Sequence, residues 1–129
     1  MKIKRVEHIA IAVHDMAESM RMLEHTLDLK LDYEEVIGET KLAMYPVGET
    51  SLELLQAKGA ASPVADWVAE RGQSLFHLCF EVEDIDAALD ELRAKGVKLL
   101  DETPKGGHGG SRIAFLDPAR RSRRRRVTQ

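Results

Sequence analysis

Residues Glu7–Leu23, "EHIAIAVHDMAESMRML", and Phe76–Leu92, "FHLCFEVEDIDAALDEL", superimpose at a constant offset of 69. His8 falls on His77, Val13 on Val82, Asp15 on Asp84 and Leu23 on Leu92. In each copy an alternating apolar run predicts a strand, and an aspartate then opens a segment with apolar residues at helical spacing. These are Met16, Met20, Leu23 and Leu27 in the first copy and Ile85, Leu89 and Leu92 in the second. Asp15 and Asp84 suit the N-cap, where a short side-chain oxygen accepts from an amide of the first turn. Each copy therefore reads as a strand followed by a helix, and the repeat is the organising fact of the chain.

Outward from the repeat, the first copy continues through "LKLDYEEVIG", "TKLAMYPVG" and "TSLELLQA", three strand-like runs broken by glycine turns. The second continues through "GVKLLDE", the glycine-rich "PKGGHGG" and "SRIAFLD", which lies over "TKLAMYP" at an offset of 71. Between the copies "SPVADWVAERG" has Ser62 as cap, Pro63 at the first helical position and Gly72 as stop, which predicts a linking helix over 62–71. The expected fold is α+β with paired βαβββ modules at about 3–58 and 73–118 of a single domain 1–118. Its last strand is missing or replaced, because "RRSRRRRVTQ" stands in that place.

With 129 residues, 43% hydrophobic and 32% charged, the chain has the size and composition of one soluble domain. No stretch approaches the roughly 20 apolar residues of a membrane span, and the N-terminus reads as a strand instead of a signal peptide, so the expected compartment is the cytoplasm. The lone Cys79 among apolar neighbours predicts a buried, inert thiol. Charge is divided unevenly. Setting aside the six arginines of 119–129 leaves 13 basic against 22 acidic residues, a net −9. The Arg-rich tail is expected to be disordered and solvated. It has no interleaved aromatic and faces no basic patch, so no specific nucleic-acid partner is expected, although a basic arm binding without sequence preference is the alternative.

Two histidines at equivalent strand positions point to a metal, because pseudo-twofold symmetry can bring both imidazoles to one concave face. Imidazole and carboxylate donors suit a divalent ion such as Co, Ni, Zn or Mn, which could polarise a substrate carbonyl. Glu53, an acid inside the apolar strand "TSLELLQA", is the third candidate ligand. Its repeat equivalent is Arg124, and a cation cannot ligate a metal. Lys41, taken to share a face with Glu53, and the loop residues Gly109, Gly110 and Ser111 are weaker candidates for contact with substrate. His108 in the same loop is expected to be exposed.

The ordered set "HIAIAV", "LAMYPVGETSLELLQ", "SPVADWVAERG", "FHLCFEVEDIDAALDELRAKGVKLLDETP" and "GGHGGSRIAFLDP" resembles the vicinal oxygen chelate superfamily, and within it the methylmalonyl-CoA epimerase branch, from about Val6 to Pro118. The resemblance implies paired βαβββ modules, a homodimer and a divalent metal. It places the first-strand histidine at His8, the fourth-strand Glu or Gln at Glu53 and the fifth-strand histidine at His77. It implies proton removal and return at C2 of a 2-methylmalonyl acyl-CoA thioester, with glutamates as bases. One of these, the last-strand Glu, would fall near Arg124 to Val127 and is absent, so the catalytic residues are left unknown and activity is expected to be impaired. The break after Pro118 is all-or-none, as a reading-frame slip would produce; a genuine basic tail is the alternative. A glyoxalase I-like lyase and a metal-free ligand-binding module of the same superfamily are the competing functions.

Overall fold

The computed structural model describes residues 1–117 and the backbone of residues 126–128. The chain divides into two compact units, one formed by His8–Phe76 and the other by Met1–Glu7 with His77–Gln129. Strands β1 (Ile3–Ala12) and β5 (Ser74–Val82) each pass from one unit into the other.

In the unit His8–Phe76, β2 (Tyr33–Ile37), β3 (Thr40–Val47) and β4 (Thr50–Ala57) form an antiparallel meander, and the second half of β1 lies parallel to β4. The Gly48–Glu49 turn fixes the register, with Val47 opposite Thr50 and Gly48 in the left-handed region at φ 65. Both faces of β3 are covered. Leu42 and Met44 pack with Ala10, Ala12, Leu55 and Val64, and Trp67 and Val68 join them from helix α2 (Pro63–Arg71). Ala43 and Tyr45 pack with Val13 and Leu54 on the other face, with Met16 and Met20 of α1 (Met16–Arg21) and Leu23 of the π-helical turn Met22–Thr26. This explains why "LAMY" has no polar alternation: a strand buried on two sides reads as a continuous apolar run.

The predicted helix signals act as expected. Asp15 accepts from the Glu18 amide at 3.2 Å, Asp84 from the Ala87 amide at 3.1 Å, and Ser62 from the Val64 amide at 3.2 Å. Pro63 opens α2 and Gly72, at φ 72, ends it. One polar bond secures the second core: the Tyr45 hydroxyl, on a fully buried side chain, donates to Glu24 Oε2 at 2.6 Å.

In the other unit, α3 (Ile85–Ala94) places Leu89 and Leu92 against Leu99 and Ala114. Glu83 N–H donates to Lys2 O at 3.3 Å, and Arg5 Nε donates to Glu81 Oε1 at 2.5 Å, fastening the first half of β1 beside the end of β5. The guanidinium of Arg5 holds the Glu81 carboxyl below the ordinary value. The expected long strands shrink here. "GVKLLDE" contributes a single bridge, Leu99 to Leu116, and "SRIAFLD" contributes β7 (Arg112–Ile113), paired with β6 (Lys105–Gly106). Leu99 and Ala114 dock on α3 as single buried residues, and the glycines between 106 and 110 supply no side chains to extend a ladder.

At the end of the chain the expected last strand is replaced: β8 (Arg126–Thr128) runs parallel to β5, with Arg126 opposite His77 and Thr128 opposite Cys79. Backbone groups need only a partner of the right register, so an unrelated sequence can fill a sheet edge. Arg124, the repeat equivalent of Glu53, lies outside the described residues.

Burial first, and then Glu24, raise the Tyr45 pKa. The folded state thus keeps a phenolic proton that the unfolded chain releases near its ordinary pKa of about 10, so stability falls as pH rises above that value. Tyr45→Phe should cost about 1–2 kcal/mol at neutral pH and flatten that alkaline decline. Urea unfolding at pH 7 and pH 11 checks both effects.

Candidate functional site

The face that carries His8 follows from the pleat. His8, Ala10 and Ala12 alternate along β1, and Ala10 stands opposite Glu53 of β4. Alanine leaves room for a longer side chain beside it, and His8 Nε2 lies 3.2 Å from Glu53 Oε1. Both side chains are only 4% exposed. A carboxylate removed from water in this way costs several kcal/mol unless another charge, a hydrogen bond or a metal compensates it. The structure brings these two predicted ligands together.

The same register overturns the placement of Lys41. Met44 stands opposite Glu53, so the residues of β3 that share its face are even-numbered. Lys41 lies opposite Gln56, on the face of Ala43 and Tyr45. It does not point with Glu53.

In the other unit, His77 is 8% exposed and meets Phe115 edge to face, with ring centroids 5.4 Å apart and planes at 78°. Phe115 is itself held, because its amide donates to Asp101 Oδ2 at 2.7 Å and Lys105 Nζ lies 5.0 Å from its ring centroid. The aromatic edge contact fixes the plane of the imidazole. Phe115 was not legible as a site residue, since "SRIAFLD" signals only a strand.

A cavity of about 460 Å³ lies in this unit. Apolar walls come from Phe80, Val82, Ile85 and Ile113, and polar groups from Arg5, Glu7, Glu81, His108, Ser111 and Arg112. An apolar slot with a few convergent polar groups is the usual form of a small-molecule site. Ser111, one of the predicted loop contacts, lines it. Gly109 and Gly110 form the turn beside it with φ of 60 and 77, values that favour glycine. Cys79 is buried as expected, although it also reaches the cavity wall. His108 departs from expectation: its side chain is 12% exposed, and Nε2 lies 3.1 Å from Glu7 Oε1, across 101 positions of sequence. No local spacing announces a contact of that range.

The sequence pattern of the glyoxalase/bleomycin resistance protein/dioxygenase superfamily matches residues 7–115. The chain belongs to this superfamily. An uncharacterized Bacillus subtilis protein, YqjC, is 32% identical over 118 residues, covering 90% of this chain and 84% of that protein. The ethylmalonyl-CoA/methylmalonyl-CoA epimerase of Cereibacter sphaeroides is 32% identical over 120 residues, covering 90% of each chain. Among solved structures, a variant of the Streptomyces coelicolor methylmalonyl-CoA epimerase in complex with 2-nitronate-propionyl-CoA is 29% identical, with a TM-score of 0.87 over 98% of this chain and 94% of that one. The epimerase resemblance thus extends from motifs to the whole fold. Among the described residues no helix is long and apolar enough to cross a membrane.

The buried pair gives a direct test. In the metal-free chain, His8→Leu should destabilise by about 3 kcal/mol, because it takes away a partner of a buried carboxylate. Adding Glu53→Leu should recover most of that loss. Denaturant titration of the two single variants and the double variant measures the coupling, and additive effects would show that the two groups are not compensating one another.

Proposed function

We propose that the chain is a methylmalonyl-CoA epimerase-like isomerase that transfers a proton at C2 of a 2-methylmalonyl thioester. The observation that carries this reading is the buried His8–Glu53 pair, with Nε2 and Oε1 3.2 Å apart, in a chain 32% identical to an ethylmalonyl-CoA/methylmalonyl-CoA epimerase. Nitrogen and carboxylate donors fit a divalent ion of the Co, Ni, Zn or Mn type. His8 and Glu53 would hold it, with His77, the repeat equivalent of His8, as the further ligand that the family resemblance implies. Such an ion supplies a Lewis acid for the thioester carbonyl.

The chain's own residues bind and shield the substrate. Ser111 and the Gly109–Gly110 turn meet the acyl-CoA at the cavity, while Phe80, Val82, Ile85 and Ile113 exclude water from it. Arg112, paired with Asp86 at 3.1 Å on the exposed rim, offers a cation to the anionic end of the cofactor arm. The protein acts as a homodimer in the cytoplasm. Its turnover is low, because the final-strand glutamate that the family resemblance implies near Arg124 to Val127 is not in the sequence.

Metal content and epimerase turnover test this on the chain as it stands and on a version whose residues after Pro118 are exchanged for a family-like strand bearing Glu. The expected result is weak metal binding and slow turnover in the first and a gain of both in the second. His8→Ala or Glu53→Ala should reduce metal affinity by at least the 10–100-fold that loss of a mere outer-shell partner causes. Equal activity in both versions would refute the claimed impairment. Preference for a glutathione hemithioacetal over the malonyl thioester would overturn the epimerase assignment, and size-exclusion chromatography with light scattering decides the dimer.

A further inference from the structure

Ser111 and Ile113 both line the cavity. Ala114, next along the extended run, docks on α3, so alternation turns Ile113 away from that helix and sets it beside Ser111 on the cavity face. Gly107 shows how closely this pair is held. A methyl carbon on Gly107 would lie 2.8 Å from Ile113 Cγ2, 3.1 Å from Ile113 Cδ1 and 3.0 Å from Ser111 Oγ. The Gly107 backbone is extended, at φ −128 and ψ −162, which any residue adopts, so the glycine answers to space and not to conformation. Both branches of the isoleucine therefore rest on bare loop backbone, and branching at Cβ stiffens χ1. The neighbouring backbone is fixed too. Ile113 pairs with Lys105, the Arg112 guanidinium meets Asp86 at 3.1 Å, and the Phe115 amide donates to Asp101 Oδ2 at 2.7 Å. An apolar wall braced in this way has nowhere to retreat, and extra methylenes forced against close-packed atoms are unfavourable.

We propose that Ile113, wedged against Gly107, is the specificity-determining residue of the cavity and limits it to CoA thioesters of short acyl groups. This rests on the reading of the cavity as the acyl-CoA site and adds its substrate class. The acyl group is the apolar end of such a ligand, and Ile113 is the next side chain on the face where Ser111 meets it, so the carbon chain runs against Ile113. A propionyl-sized group stops short of this wall. Each further methylene presses on a side chain with no room behind it. Gly107 and Ile113 act as one device: a methyl group added behind the isoleucine drives it into the cavity, and truncating the isoleucine opens the cavity.

The experiment measures binding of propionyl-, butyryl- and hexanoyl-CoA to the full chain by titration calorimetry, with free CoA as the reference. Propionyl-CoA should bind more tightly than CoA, and the step to butyryl-CoA should weaken binding about tenfold or more, as one methylene in an apolar pocket does. Ile113→Ala should erase that step and admit hexanoyl-CoA, with binding of free CoA unchanged. Ile113→Val, which trims only the outer carbon, should fall between the two. Gly107→Ala should weaken even propionyl-CoA, and Gly107→Ala combined with Ile113→Ala should return to the profile of Ile113→Ala. A general loosening of the loop would instead lower CoA and all three thioesters together, and that result would overturn the proposal. So would a parent chain that binds hexanoyl-CoA as tightly as propionyl-CoA, or an Ile113→Ala chain that keeps the parent's preference; the epimerase reading survives both. If the parent binds neither CoA nor any thioester, the acyl-CoA reading fails and takes the proposal with it.

Discussion

An imidazole and a carboxylate buried side by side are the constraint on which the rest of the first unit depends. His8 and Glu53 are each 4% exposed, and their encounter requires a fixed parallel register between β1 and β4. A slip of one residue in either strand would turn its side chain to the face opposite its partner's. The register is held from two directions: the Gly48–Glu49 turn fixes β3 against β4, and the alanines at 10 and 12 let the α2 core close over the His8 face. The apolar mass in "LAMY" and "ELL" thus supports a polar pair that would not stay buried unaided.

The repeat was legible because it is written in local periodicities. A histidine, an alternating strand, an aspartate cap and an apolar helical stripe each occupy a few residues, and each acts through neighbours in the chain. Asp15, Asp84, Ser62, Pro63 and Gly72 could therefore be placed correctly from sequence. Glu53 was a candidate from the place of its strand, since a lone acid in an apolar strand is usually solvent-facing but the last strand of a half can line the cavity of the histidines; the structure buries it.

Other features depended on how strands register or on contacts between distant residues. Lys41 was assigned the wrong face because a two-residue turn pairs odd positions of β4 with even positions of β3, and counting along either strand alone does not reveal that. Glu7 and His108 are 101 positions apart. The Phe115 ring that braces His77 sits in a segment whose pattern predicts only a strand. The tail shows the opposite limit: its side chains left open whether the last strand was missing or replaced, because a backbone ladder needs only amides and carbonyls.

The division of the chain has a consequence for how it is made. The unit His8–Phe76 is continuous in sequence, so all its contacts become available once that stretch has left the ribosome. The other unit joins Met1–Glu7, which are synthesised before the continuous unit, to segments that begin only at His77. Arg5 must wait for Glu81 and Glu7 for His108, with the whole first unit emerging in between. The order of synthesis thus favours folding of the continuous unit first, and the discontinuous unit, rich in long-range contacts, forms later and more slowly. During that interval the first half of β1 lacks its contacts with Glu81 and His108, and the charges of Lys2, Lys4 and Arg5 along it protect it from pairing with another nascent chain.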